Sequence, residues 1–402
     1  MPTDLITVND VLAARARLEG VISRTPVERS RAVSEAAGIT TLLKCEHLQR
    51  TGSFKMRGAY NRIAQLTDAE RSHGVVCASA GNHAQGVALS ASLLGVRSMV
   101  FMPVSAPLPK VEATRSYGAE VTLVGETFDD AFEASQKWAA ENEAVFVHPF
   151  DHPDIIAGQG TVGLEIVEQV PDAASIVVPI GGGGLISGVA VAAKARNPDI
   201  RIIGVEAAGA SAFPASLAAG EPIALPDVST IADGIAVKTP GVLTLAHVEA
   251  YVDEIVTVTE EEIARAVLLL VERAKQVVEP SGAAGLAAVM SGAGLYAEPA
   301  VVLLCGGNVD PLLLMRIIQS GMFEEGRYLM LRTRVIDRPG GLAALMGILA
   351  EAGANIVAVE HHRLGTRLGV QEVEVALEIE TRGPAHIREV VRTLRSHDYP
   401  VS

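Results

Sequence analysis

Cysteine is scarce: Cys45, Cys77 and Cys305 are the 3 in 402 residues. They form neither the close pairs of a zinc site nor the dense framework of a disulfide-stapled secreted domain, so a reducing compartment is expected. Long apolar runs are also missing. Stretches such as Ala266 to Val271 fall well short of the roughly 20 residues that cross a bilayer, and Met1-Pro2-Thr3-Asp4 opens neither a basic leader nor an apolar segment. The expected location is therefore cytoplasmic. Positive charge is in deficit, with 33 Lys+Arg against 47 Asp+Glu and a formal net charge of -14. Such a chain offers no basic field to a phosphate backbone or an anionic membrane, and neither nucleic acid nor membrane is expected as a partner. Low-complexity segments do not stand out either.

What the chain has is apolar bulk, 49% of its residues. At this length that implies two or three compact units. From about Thr40 to Phe150, short β-rich runs (Val75-Val76-Cys77, Ser98 to Phe101, Val121 to Val124, Val145-Phe146-Val147) alternate with helical stretches, the pattern of βα units around a parallel sheet. A second series, Ile176 to Ile180, Ile202 to Val205 and Val301 to Leu304, is almost continuously apolar, as in strands covered on both faces. The expected architecture is α/β: two open parallel-sheet lobes, the smaller (about 50–150) inserted in the larger, with a ligand cleft at the carboxyl ends of the strands. After Gly326 the rhythm changes. A strand from Tyr328 to Val335, the loop Asp337-Arg338-Pro339-Gly340-Gly341, a helix to Ala352, strands near Asn355 to Arg363 and Val370 to Glu380, and a helix from Pro384 predict a separate βαββα domain. The regions are taken as 1–322 and 327–402.

Four segments carry candidate chemistry. Lys55 lies in Thr51-Gly52-Ser53-Phe54-Lys55-Met56-Arg57, where Ser53 is a candidate N-cap. A lysine in the first turn, with Arg50 and Arg57 near it in sequence, is biased toward the neutral amine that Schiff-base chemistry needs. Taken alone it reads as a solvated surface lysine. Gly181-Gly182-Gly183-Gly184-Leu185 follows an apolar strand and opens a helix, so bare N–H groups converge where a phosphate can sit. It lacks a dinucleotide fingerprint and a Walker lysine, and a tight packing turn is the competing reading. Ser79-Ala80-Gly81-Asn82-His83 offers backbone N–H groups and an amide, or else a capped Asn-Gly turn with a packed histidine. Leu304-Cys305-Gly306-Gly307-Asn308 ends the last core strand, where Cys305 alone would be a small core hydrophobe.

Together, in this order and over about residues 5 to 320, these segments resemble fold type II of the pyridoxal-phosphate enzymes, and within it the threonine and serine ammonia-lyases. The resemblance implies pyridoxal 5'-phosphate as cofactor, Lys55 as the residue that binds it covalently and then takes the α-proton, and Phe54 as its neighbour in the site. It further implies Asn82 on the cofactor's 3′-oxygen, Gly181, Gly182, Gly183, Gly184 and Leu185 around its phosphate, and Cys305 opposite its ring nitrogen. Ser79, Ala80, Gly81, Asn82 and His83 would receive the substrate carboxylate. No metal ligands are assigned. A neutral Cys305 favours loss of a β-hydroxyl over transamination. Ala80 stands where serine racemases carry a serine, so racemisation should be weak.

The terminal domain resembles an ACT domain, which implies an amino-acid effector such as isoleucine or valine. Asp337, Gly340, Gly341, Leu342, Asn355 and Ile356 are its candidate contacts, and a homodimer or homotetramer is expected. Only Tyr399-Pro400-Val401 remains for a fourth strand. The implied reaction is deamination of L-threonine to 2-oxobutanoate. A serine-preferring lyase is the near alternative, and a non-catalytic amino-acid sensor is the distant one.

Overall fold

The computed structural model describes residues 5–363, 369 and 371–402. Residues 1–4, and Val370 at the expected opening of a strand, lie outside the described residues. Two compact units divide between Asp310 and Pro311, so the helix Pro311–Glu324 groups with the second unit.

In the first unit, β1 (Val27–Arg29) and β2 (Thr41–Lys44) begin the larger sheet. The chain then builds a second sheet from β3 (Val75–Ala78), β4 (Ser98–Met102), β5 (Glu120–Leu123) and β6 (Val145–Phe146), all parallel and ordered β5-β4-β3-β6. It returns to the larger sheet through β7 (Ser175–Pro179), β8 (Arg201–Ala207), β9 (Glu254–Val258) and β10 (Ala300–Leu303). That sheet runs β1-β2-β10-β7-β8-β9 and is parallel except at β1. The two parallel-sheet lobes match the expectation from alternation. The antiparallel edge strand β1 carried no such signal, because Val27-Glu28-Arg29 is too short and too polar to stand out.

Every residue of β2, β3, β7 and β10 is buried, which accounts for the apolar runs of β3 and β10 and of Ile176–Pro179 in β7. The main core joins Ile176, Val178, Val189, Ile202, Phe213 and Val301, each such side chain contributing about 1.5–3 kcal/mol on burial. Helix Pro153–Gln169 crosses helix Gly184–Arg196 where side chains are absent: a Cβ on Gly188 would stand 2.2 Å from the Ile156 carbonyl oxygen. Beneath them, Arg57 is fully buried and bonds to Glu46 (2.8 Å), Glu165 (2.7 Å) and Thr161 (3.0 Å), while Lys44 also pairs with Glu165. Each buried charge therefore has a partner.

In the second unit, β11 (Tyr328–Ile336), β12 (Asn355–His362) and β13 (Glu372–Glu380) form an antiparallel sheet ordered β11-β13-β12. Its inward positions, including Leu331, Val375, Leu377 and Ile379, pack with Leu345, Leu349, Val390 and Leu394 from the helices Gly341–Glu351 and Pro384–Ser396. Beside β11, Ser402 exchanges backbone N–H···O bonds with Arg332.

Candidate active site

The loops after β3, β7 and β10 and the turn before helix Lys55–Ala64 border one cleft of about 950 Å³, wholly within the first unit. Its walls include Phe54, Lys55, Ser79, Gly81, Asn82, His83, the Gly181–Leu185 segment and Cys305. The four segments singled out in the sequence therefore meet. The loops after β7 and β10 leave the carboxyl end of the larger sheet and the loop after β3 leaves that of the smaller one, so the cleft lies between the two sheets.

Lys55 opens its helix, but Ser53 does not cap it. Phe54 holds the cap position in a helical conformation, and the Ser53 hydroxyl is buried without a partner among the described residues. The Phe54 N–H donates to the Cys305 carbonyl (3.3 Å), tying the lysine turn to the end of β10. The Lys55 Nζ donates to the Pro149 carbonyl (3.0 Å). Burial lowers its pKa from the ordinary 10.5 to about 8, opposed by Cys305 and Glu279. The direction agrees with expectation, but the cause differs. Arg57 is neutralised by its carboxylate partners, and Arg50 turns outward to the Val21 carbonyl. Desolvation, not neighbouring charge, makes this amine available. A measurable consequence is that the apoprotein should capture pyridoxal phosphate covalently at a rate that rises with pH through about 8 and then levels, because only the deprotonated amine adds to an aldehyde. Stopped-flow absorbance between pH 6 and 10 reads this directly. A rate still climbing at pH 10 would show an unperturbed lysine.

Gly183 adopts φ 91° as N-cap of helix Gly184–Arg196. A Cβ at Gly182 would stand 2.2 Å from the Phe150 ring, and one at Gly183 would stand 2.7 Å from Phe213 and 2.9 Å from Thr244. Glycine is thus demanded by the protein's own packing. The loop still leaves the backbone N–H groups of Gly181 to Leu185 without an acceptor among the described residues. Five such donors at a helix N-terminus form an anion cradle, and the phosphate of pyridoxal phosphate fits it, with Lys55 on the same cleft.

A second turn with unpaired N–H groups follows β3. Gly81 is the N-cap of helix Asn82–Leu93, its N–H donates to the Ser79 hydroxyl (3.1 Å), and the N–H groups of Ala80, Asn82 and His83 have no acceptor among the described residues. The His83 imidazole is committed elsewhere: Nε2–H donates to the Val147 carbonyl (2.8 Å), and burial with Lys55 nearby pushes its pKa down to about 3. It is a neutral packing histidine, and only its backbone is offered to a ligand. Cys305 is buried, its thiol donates to the Ser281 carbonyl (3.6 Å), and burial raises its pKa far above the ordinary thiol range, so it is neutral.

Among the polar residues of the cleft that had been given no role, two bear directly on Asn82. Glu279 accepts from Asn82 Nδ2 (2.7 Å), and burial together with Asp233 pushes its pKa up to about 7. Asn308 donates to Asn82 Oδ1 (2.8 Å) and to the Thr51 carbonyl (2.7 Å). Glu279 had a signal: it is the single charged residue between Lys275 and Glu298, immediately before an apolar helix. Elsewhere, Glu206 accepts from the N–H groups of Ala212 and Phe213 and from Ser211, and no group of three or more His, Cys, Asp or Glu gathers as a metal site among the described residues.

The candidate effector residues are not brought together within one chain. Gly340 (φ 88°) caps the helix that begins at Gly341 and carries Leu342, and Asp337 follows β11, where it pairs with Arg363 (3.1 Å). Asn355 opens β12 and bonds Glu380 (3.0 Å), while Ile356 packs into the core. Because Ile336 faces Glu372 and Asn355 faces Glu380, the two sets lie at opposite ends of β13, roughly 25 Å apart.

Comparison with known proteins agrees with this geometry. A family described as pyridoxal-phosphate dependent enzyme matches residues 18–306, and the ACT domain family matches 329–396. The chain is 47% identical over 397 residues to the L-threonine ammonia-lyase of Thermotoga maritima, covering 99% of each chain. Among solved structures, the processed form of threonine deaminase isoform 2 from Solanum lycopersicum aligns with a TM-score of 0.75 at 35% identity, over 80% of this chain and 93% of that one. Maize serine racemase aligns with a TM-score of 0.73 at 38% identity, over 80% of this chain and 100% of that one. A chain that matches such a lyase from end to end, and the wider family over most of its length, belongs to the pyridoxal-phosphate dependent enzymes, in their threonine ammonia-lyase group, with an ACT domain after the catalytic region.

Proposed function

We propose that the chain deaminates L-threonine to 2-oxobutanoate and ammonia, under control of an amino acid bound by its ACT domains. The observation that carries this reading is the meeting of a desolvated Lys55 with two turns of unpaired N–H groups in one cleft. Pyridoxal phosphate, when bound, supplies the electron sink that acidifies the α-hydrogen of an amino acid. Lys55 then acts as the base that takes that proton at Nζ, since burial lowers its pKa to about 8 and so leaves a far larger neutral fraction near pH 7 than an ordinary lysine at 10.5 has. The turn Ser79 to His83 orients the substrate carboxylate through backbone donors, which fixes the α-hydrogen toward the lysine. The neutral Cys305 thiol is assigned to the ring nitrogen, where it supports elimination of the β-hydroxyl in preference to longer-lived carbanion chemistry. Ala80 supplies no acid for the second face of the substrate, which disfavours racemisation.

The effector is assigned to a paired arrangement of two copies. One domain's Asp337, Gly340, Gly341 and Leu342 would face the Asn355 and Ile356 of another, since a single sheet holds these sets far apart. Isoleucine as inhibitor and valine as its opponent are the expected pair, acting by preferring one of two arrangements. The test is steady-state formation of 2-oxo acid by the full-length protein from L-threonine and from L-serine, with and without isoleucine and valine. Threonine should have the higher kcat/KM, and isoleucine should make its saturation sigmoidal. A higher kcat/KM for serine would make the chain a serine ammonia-lyase. Binding of threonine without turnover would make it a sensor, and indifference to every small amino acid would leave the ACT domains as pairing modules.

A further inference from the structure

An asparagine amide is nearly symmetric in shape, so packing alone does not decide which end bears the hydrogens. At Asn82 the choice is made by its neighbours. The Asn82 Nδ2 donates to Glu279 Oε1 (2.7 Å), and the Asn82 Oδ1 accepts from Asn308 Nδ2 (2.8 Å). Asn308 Nδ2 is itself fixed as a donor by the Thr51 carbonyl (2.7 Å), and an ionised Glu279 only accepts, so the pair holds Asn82 in one of its two orientations and leaves a second amide N–H uncommitted. The surroundings are shaped around this contact. A Cβ on Gly306 would stand 2.2 Å from Glu279 Oε1 and 3.0 Å from Asn82 Nδ2, and the Glu279 N–H is anchored to the Gly306 carbonyl (3.0 Å). Burying a carboxylate beside a ligand cleft is costly, and Glu279 makes no hydrogen bond to the Gly181–Leu185 segment or to Lys55, whose Nζ donates to the Pro149 carbonyl.

We infer that Glu279 is a positioning residue for the cofactor: by accepting from Asn82 it fixes the amide so that a donor, not an acceptor, faces the phenolic oxygen of pyridoxal phosphate. The inference rests on the proposed function only through the identity of that cofactor.

The test is a double-mutant cycle read as cofactor affinity and absorption spectrum, not turnover. Apoprotein of wild type, Glu279→Ala, Asn82→Ala and the double variant is titrated with pyridoxal phosphate, and folding is checked by circular dichroism. Loss of a buried, aligned hydrogen bond predicts dissociation about tenfold or more weaker for Glu279→Ala, with a shifted absorption maximum. The change should vanish in the Asn82→Ala background, because Glu279 acts through that amide. Glu279→Gln, which keeps one acceptor for two donors, should fall between wild type and alanine, and it carries the same cycle if Glu279→Ala does not fold. An equal loss with and without Asn82, or an unchanged spectrum and affinity, overturns the inference. Wild-type protein that binds no pyridoxal phosphate would instead overturn the cofactor assignment beneath it.

Discussion

Lys55→Ala should lose ammonia release by more than about 10³-fold, since one amine serves both as the covalent anchor and as the base. The fold should survive. The Lys55 side chain lines the cleft instead of filling the core, and its one hydrogen bond, to the Pro149 carbonyl, lies at the cleft wall. Removing a desolvated cation that pairs with no carboxylate also removes a burial cost, so the melting temperature of the apoprotein should hold or rise slightly. Two measurements check this, L-threonine turnover and thermal unfolding without cofactor. Substantial turnover by the variant would remove Lys55 from the chemistry. A collapsed melting temperature would make it a structural residue.

The second large effect is expected at Gly183. Alanine there must take a left-handed conformation, costing about 1–2 kcal/mol, and must also fit a Cβ 2.7 Å from Phe213 and 2.9 Å from Thr244, for which overpacking adds about 1–3 kcal/mol. The strain can be relieved only by moving the backbone that carries the cradle, since Phe213 is fully buried and the Thr244 hydroxyl is bonded to the Gly182 carbonyl (2.7 Å). Gly183→Ala should therefore lower the melting temperature and weaken pyridoxal phosphate binding by at least about tenfold, as 1.4 kcal/mol of strain carried into the bound state would do. Lys55 chemistry with an aldehyde lacking the phosphate should be less affected, because the lysine turn belongs to a different element. Equal losses with pyridoxal and with its phosphate would show general damage in place of a broken cradle.

Much of the site was legible because its parts are local. Gly181 to Leu185 and Ser79 to His83 each lie between an apolar strand and a helix, and the chemistry of a helix N-terminus follows from that order alone. The limits show at Glu279, Asn308 and Arg57. Glu279 lies 197 positions from the Asn82 it orients, and no local pattern reports such a pairing. Arg57 stands two residues from Lys55 in sequence yet spends its charge on Glu46 and Glu165, so the lowered Lys55 pKa owes nothing to it and follows from desolvation.

In the second unit, periodicity located β11, the Gly340-Gly341 turn and the helices, because alternation and turn chemistry are properties of short segments. The resemblance to an ACT domain put Asp337 and Asn355 in one effector group, whereas the strand register places them at opposite ends of β13 within one chain. Composition, strand and helix periods and glycine turns were enough to indicate two α/β lobes and an appended βαββα domain, while the roles of Lys55 and of the two turns came from the family resemblance of the four segments taken together. The state of the lysine, the silence of His83, the orientation of Asn82 and the division of the effector residues depended on burial and on partners distant in sequence. Desolvation and hydrogen bonding act through space, and only the packed chain sets which groups share it.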